Sequence, residues 1–285
     1  KIQTGTCDFA CKMATYPMRA MGIPVSFDYT LDWANRNQRH NWNAVIFDGK
    51  QKTFNGGESS VGSHKVQYIG VGRIKCKPAK VFRKTYSIQA NSLPLLADKK
   101  EEIPGVFNNK RSKDVTSQYT PVSDVHIPKK HNNKTGYLCT FNNSNWVLSF
   151  WGKVENNEYV FKDMGRGIAY LSALYKKGNI IPQGDPFILK NDGEISVCKA
   201  DYEKKQTIKI LSKYPEDESN NISPGDIYEL YFWDEGWVSA GAKLADTTYL
   251  TYESMPSNAL FWIRNHSGGI QERIFTYEEN KQIWW

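Results

Sequence analysis

The chain has 285 residues, a formal net charge of +7, 40% apolar residues and 13% aromatic residues, among them 9 Trp and 16 Tyr. That length exceeds one usual domain, and the aromatic share favours strands packed around apolar cores. No apolar run approaches the roughly 18 residues of a membrane-spanning helix, and the 37 Lys and Arg are dispersed among 30 acids, which excludes a basic nucleic-acid stripe.

Lys1 is neither an initiator Met nor part of an apolar leader, so the expectation is that sequence ahead of it has been removed. The first predicted element is a helix over "TCDFACKMATYPMRAM" (Thr6 to Met21). Phe9, Ala10, Met13, Ala14 and Met18 recur at close to its period, Pro17 is expected to kink it or begin a second turn, and "GIP" at Gly22 to Pro24 stops it. "VSFDY" then alternates as a strand. "WNAVIF" and "QKTFN" flank Asp48-Gly49, the residue pair preferred in a type I′ turn, and so predict a two-residue hairpin. A Gly- and Ser-rich loop follows over residues 56–65. "KPAKVFRKTYSIQ" suits helix or strand, and "LLADKKEEIPGVFNNKRSKDV" reads as a linker or surface excursion.

After Asp114 the pattern changes to short alternating runs such as "TGYLCTF", "NWVLSFWGKV" and "EYVFKDMG", with turn clusters between them. "GIAYLSALYKKGN" passes either as a short helix or as strand and turn. A charged stretch near Asp201 to Lys205 precedes a second β series that runs to "KQIWW". The expected divisions are therefore 1–113, 114–202 and 203–285, the last two as β-sandwiches.

One constellation carries chemistry. Cys7 stands at the predicted start of the helix, where free N–H groups and partial positive charge favour a thiolate and can hold an oxyanion. His40 opens a strand 33 residues later, and Asn55 follows the partner strand 15 residues after that. With a two-residue turn, His40 falls opposite Gly57 and Asn55 lies on the same face as that position, within side-chain reach of the imidazole. Cysteine, histidine and amide then form a nucleophile, base and orienter. Glu58 is the fallback orienter. Asp48 ranks last, because it lies at the far end of the hairpin.

"GTCDFACKMATYPMRAMGIPV" followed by "HNWNAVIFDGKQKTFNGG" resembles the transglutaminase-like core of the papain-like superfamily. The shared order is Gly-x-Cys on a helix, Arg-Ala-x-Gly-Ile-Pro, His-x-Trp on a strand, and a hairpin leading to the third polar residue. The whole chain is similar to bacterial transglutaminase-like proteins of the Bacteroides group, which carry β-rich accessory domains. The resemblance implies an α+β, papain-like core ahead of two β-sandwich domains. It implies Cys7 as nucleophile, His40 as base, and Trp42 and Gly5 as support of the cleft. Where the family usually has Asp as the third residue, Asn55 stands here. It further implies hydrolysis or transfer of an amide in a peptide or glycopeptide-like substrate through a thioester, and a location outside the cytoplasm.

No cofactor is expected, and no metal. The remaining cysteines (Cys11, Cys76, Cys139 and Cys198) show no paired zinc-ligand spacing. His64, His126, His131 and His266 show no partner spacing either. Trp233, Trp237, Trp284 and Trp285 fit core packing better than a sugar-stacking platform. A second function class stays open: a degenerate core serving as a scaffold, whose β domains bind glycan or protein.

Overall fold

The computed structural model describes residues 6–69, 74–214, 221–268 and 272–285. Among them, the first sheet is built from β1 (Val25–Thr30), β2 (His40–Phe47) and β3 (Lys50–Phe54). A small ladder of β4 (Tyr68–Ile69) and β5 (Ile74–Lys75) follows, and β6 (Phe82–Lys84) and β7 (Ser112–Asp114) complete the first sheet in the antiparallel order β3-β2-β1-β6-β7. Helix α1 (Cys7–Ala20) packs on one face of β1 and β2, and α2 (Leu93–Leu96) is a single turn.

The second sheet is formed by β8 (Val122–Pro128), β9 (Thr135–Asn142), β10 (Asn145–Glu155), β11 (Glu158–Gly165), β12 (Ile168–Lys176), β13 (Asn179–Pro182), β14 (Phe187–Leu189) and β15 (Ile195–Val197). Their order is β15-β14-β12-β9-β10-β11-β8, with β13 paired to β12. In the last stretch β16 (Asp201–Ile210) pairs with β19 (Leu250–Ser257). Beside them, β17 (Ile227–Trp233), β18 (Trp237–Leu244), β20 (Phe261–Asn265), β21 (Ile274–Glu278) and β22 (Lys281–Trp284) form a five-stranded sheet. These two sheets close over one core that includes Ile208, Tyr228, Tyr252 and Phe275.

The expected α+β, papain-like core is corrected by this architecture. Among the described residues strand makes up 50% and helix 10%, with 2 α-helices, a β-rich fold of several sheets. The two ambiguous segments account for much of the difference. In "KPAKVFRKTYSIQ", Phe82 and Arg83 pair with Tyr29 and Asp28 on β1. "GIAYLSALYKKGN" becomes β12, whose first seven residues are all buried. A strand covered on both faces loses the period-two signature, so its sequence does not separate it from a buried helix. The charged stretch near Asp201 forms the start of β16.

Shared cores join the three stretches. Ala34, Ala79 and Phe82 pack with Phe161, Met164 and Tyr170 of the second sheet. Phe141 and Leu171 pack with Trp233 and Trp262 of the last stretch, and Trp237 and Trp285 border that cluster. Between them sits the buried guanidinium of Arg273. It donates to the carbonyls of Phe141 and Ala34, and to that of Trp285 at 2.8 Å from Nη2 and 3.2 Å from Nε. Burial pulls its pKa down to about 10. Among the described residues no helix is long and apolar enough to cross a membrane.

Candidate functional site

The site is set by α1 and the β2–β3 hairpin. Asp48 and Gly49 take φ of 49° and 70°, the type I′ geometry that Asp-Gly favours. Phe47 therefore pairs with Lys50 and Asn43 with Phe54. Carried on, that register puts His40 level with Gly57 and Trp42 level with Asn55. Asn55 is held just past β3 by a closed turn: its N–H donates to Ser59 Oγ at 2.8 Å, and the N–H groups of Glu58 and Ser59 donate to its carbonyl.

His40 Nε2 lies 3.2 Å from Asn55 Oδ1. An amide oxygen only accepts, so Nε2 carries the proton and the free lone pair rests on Nδ1. Burial holds the imidazole below its usual pKa, opposed by the Asn55 bond and the charge of Glu58. Glu58 acts on the ring through its charge and is exposed, and Asp48 is exposed at the hairpin tip. Trp42 is fully buried; it stacks on Trp33 at 5.8 Å and on His40 at 5.7 Å, and meets Tyr119 edge-on at 5.3 Å. The same face holds Asp28, gripped by Arg83 at 2.8 and 2.6 Å and by the Tyr119 hydroxyl at 2.5 Å.

The other face of β2 belongs to α1. Asn43 Nδ2 donates to Thr15 Oγ1 at 2.9 Å, to the Ser26 carbonyl at 3.0 Å and to the Cys11 carbonyl at 3.3 Å. One residue pair away from that anchor, Asn41 Nδ2 lies 3.6 Å from Cys7 Sγ. Gly56 is the close approach that makes this packing possible. A Cβ there would stand 2.5 Å from the Ala10 carbonyl oxygen.

Cys7 is the first residue of α1 and half-exposed, whereas Cys11, Cys76, Cys139 and Cys198 are buried; all five are free thiols. Burial pushes Cys11, Cys76 and Cys198 up to about 12 and Cys139 higher. The helix runs through Pro17 without a break. Its inward face is narrower than the apolar spacing predicts. Cys11 and Thr15 are buried, while Phe9 and Met13 are exposed.

The structure thus brings His40 to Asn55, with Trp42 beneath the ring, and brings Asn41 to Cys7. Among the described residues no hydrogen bond links Cys7 to His40. Alternation along β2 explains this: neighbouring residues 40 and 41 point to opposite faces, and α1 lies on the Asn41 side. Gly5 and the His64 side chain lie outside the described residues. His126 pairs with Glu158 at 3.2 Å and His266 with Glu229 at 2.8 Å, both away from the site, and His131 is exposed. Asn41 is the residue that the sequence reading missed. The signal was its parity with Asn43 on a strand that faces a helix.

Beside Cys7 opens a cleft of about 630 Å³, lined by the polar residues Asp8, Asn41, Asp32, Arg39 and Lys84 and, among others, by Val106, Val147, Leu148 and Ile180. Asp8 is paired with Lys12 at 2.5 Å and Lys84 at 3.4 Å. Burial raises Asp32 to about 6 against the opposing charge of Arg39. Among the described residues no group of three or more His, Cys, Asp or Glu side chains converges as a metal site would require. No protein-family model, curated protein or solved structure matches the chain.

Proposed function

We propose that the chain is a cysteine-dependent hydrolase acting on an amide of a peptide or glycopeptide-like substrate through a thioester. The observation that carries this reading is the His40–Asn55 pair, at 3.2 Å, on the hairpin packed against the helix that Cys7 opens. The Asn55 oxygen leaves Nδ1 of His40 as the basic nitrogen, and the lowered pKa keeps that nitrogen unprotonated at neutral pH.

Nδ1 takes the Cys7 proton as the sulfur bonds to the carbonyl carbon, and the carbonyl π pair moves onto oxygen. The oxyanion is held by backbone N–H groups of the first turn of α1 and by Asn41 Nδ2, already beside the sulfur. Collapse expels the amine, which leaves with the proton from His40. Water then loses a proton to Nδ1 and attacks the thioester carbon. Collapse releases the acid and the Cys7 thiolate, which takes its proton back. The reaction requires His40 to turn about the start of β2 towards Cys7, and catalytic hydrogen bonds in apo enzymes commonly form only with substrate.

The resemblance of the Gly-x-Cys, Gly-Ile-Pro and His-x-Trp order to the transglutaminase-like core is what implies an amide substrate and a location outside the cytoplasm. The missing Cys7–His40 bond favours a second reading: a degenerate site on a scaffold whose β sheets bind glycan or protein. A thiol-directed activity probe separates the two. Rapid labelling of Cys7 that is lost in His40→Ala supports the hydrolase. Labelling at equal rates in wild type and His40→Ala leaves only the scaffold.

A further inference from the structure

We infer that the cleft beside Cys7 is a subsite for an aliphatic side chain of a peptide substrate. The inference deepens the hydrolase reading and rests on it. The cleft begins at Asn41, whose amide touches the Cys7 sulfur, and Asp8 follows Cys7 on α1, so its occupant lies next to the reacting bond. Its volume, about 630 Å³, exceeds that of one side chain and suits a short stretch of peptide.

Its two kinds of lining do different work. Among the lining residues two carboxylates, Asp8 and Asp32, are matched by two cations, Arg39 and Lys84, so the lining has no net charge with which to select a charged substrate. These groups suit the polar backbone of a peptide. Tyr29, Thr30 and Leu31 also line the cleft, and an aliphatic wall completes it: Val147 and Leu148 from β10, Ile180 from β13, and Val106 from the turn over residues 105–107. A charged side chain against that wall would lose its water without gaining a partner. A leucine-sized side chain would instead lose only apolar hydration.

The occupant can be tested without turnover, so a failure here is distinct from a failure of Cys7 chemistry. Blocked alanine tetrapeptides carrying Leu, Ala or Asp at one inner position are titrated into the full chain bearing Cys7→Ala, with tryptophan fluorescence as the readout. The Leu peptide is expected to bind at least about tenfold tighter than the Ala peptide, the lower bound for added apolar groups in such a pocket, and the Asp peptide more weakly than either. Adding Leu148→Asp should abolish the Leu preference. Val147→Glu, on the neighbouring residue of the same wall, should do the same if Leu148→Asp fails to fold. Equal binding of the three peptides, including none at millimolar concentration, overturns the subsite. A Leu preference that survives the folded wall variants also overturns it.

Discussion

At position 55 an amide does what a carboxylate would do more strongly. Asn55 orients the ring of His40 without charge, and burial then dominates, holding the imidazole below its usual range. In Asn55→Asp the new negative charge opposes burial and raises the pKa of His40, by about one unit or more for a charge at this range. The acid limb of the Cys7 labelling rate against pH should therefore move to higher pH in Asn55→Asp. A limb that stays in place would detach His40 from the thiol. Asp32 supplies a second titration. Its carboxyl is raised from 3.8 to about 6, so between those values the folded chain holds a proton that the unfolded chain has released. Stability contributed by Asp32 is thus present below the unfolded pKa and lost as pH rises through about 6. Asp32→Asn should remove that loss and stabilise the protein at neutral pH by on the order of 1 kcal/mol, allowing for solvent screening. Urea melts of the two proteins at pH 4 and pH 7 check the sign.

At the scale of elements, the hairpin and α1 depend on one missing side chain. Gly56→Ala puts a Cβ within 2.5 Å of the Ala10 carbonyl oxygen, a backbone atom that moves only if the helix does. We expect a loss of about 1–3 kcal/mol, as for overpacking, together with altered Cys7 labelling as α1 is pushed from β2. Denaturation and labelling measured on the same sample test both effects. The hairpin was legible because its information is local. Asp48-Gly49 selects the turn, the turn selects the register, and the register brings Asn55 to His40. The fold class was not, because β12 is buried on both faces and β6 is three residues long; partners far along the chain decide both. The outward face of α1 misled for the opposite reason. Phe9 and Met13 have the spacing of a core stripe, yet the inward face is taken by small residues and by the Asn43 amide.

Across the whole molecule, polar ties between remote backbone groups complement the shared apolar cores. Arg273 is the plainest case, since its donors reach backbone oxygens of Ala34, Phe141 and Trp285, from three parts of the chain. Arg273→Met should cost about 2–4 kcal/mol by leaving buried carbonyls without donors. The loss should appear as a lower midpoint of one common transition, followed by Cys7 accessibility and by tryptophan fluorescence alike. Separate midpoints for the two probes would show that the stretches unfold independently.

The Arg273 tie also sets an order in time. Ala34 lies 239 residues ahead of its donor. At a synthesis rate of about 5–20 residues per second, its carbonyl waits on the order of 10–50 s for that donor to be made. The loop between β1 and His40 is therefore left without its final anchor while most of the chain is still being translated. A cell that makes this protein receives the Cys7–His40 region in finished form only once Arg273 has been made, so a polypeptide interrupted before Arg273 carries the motif without its support.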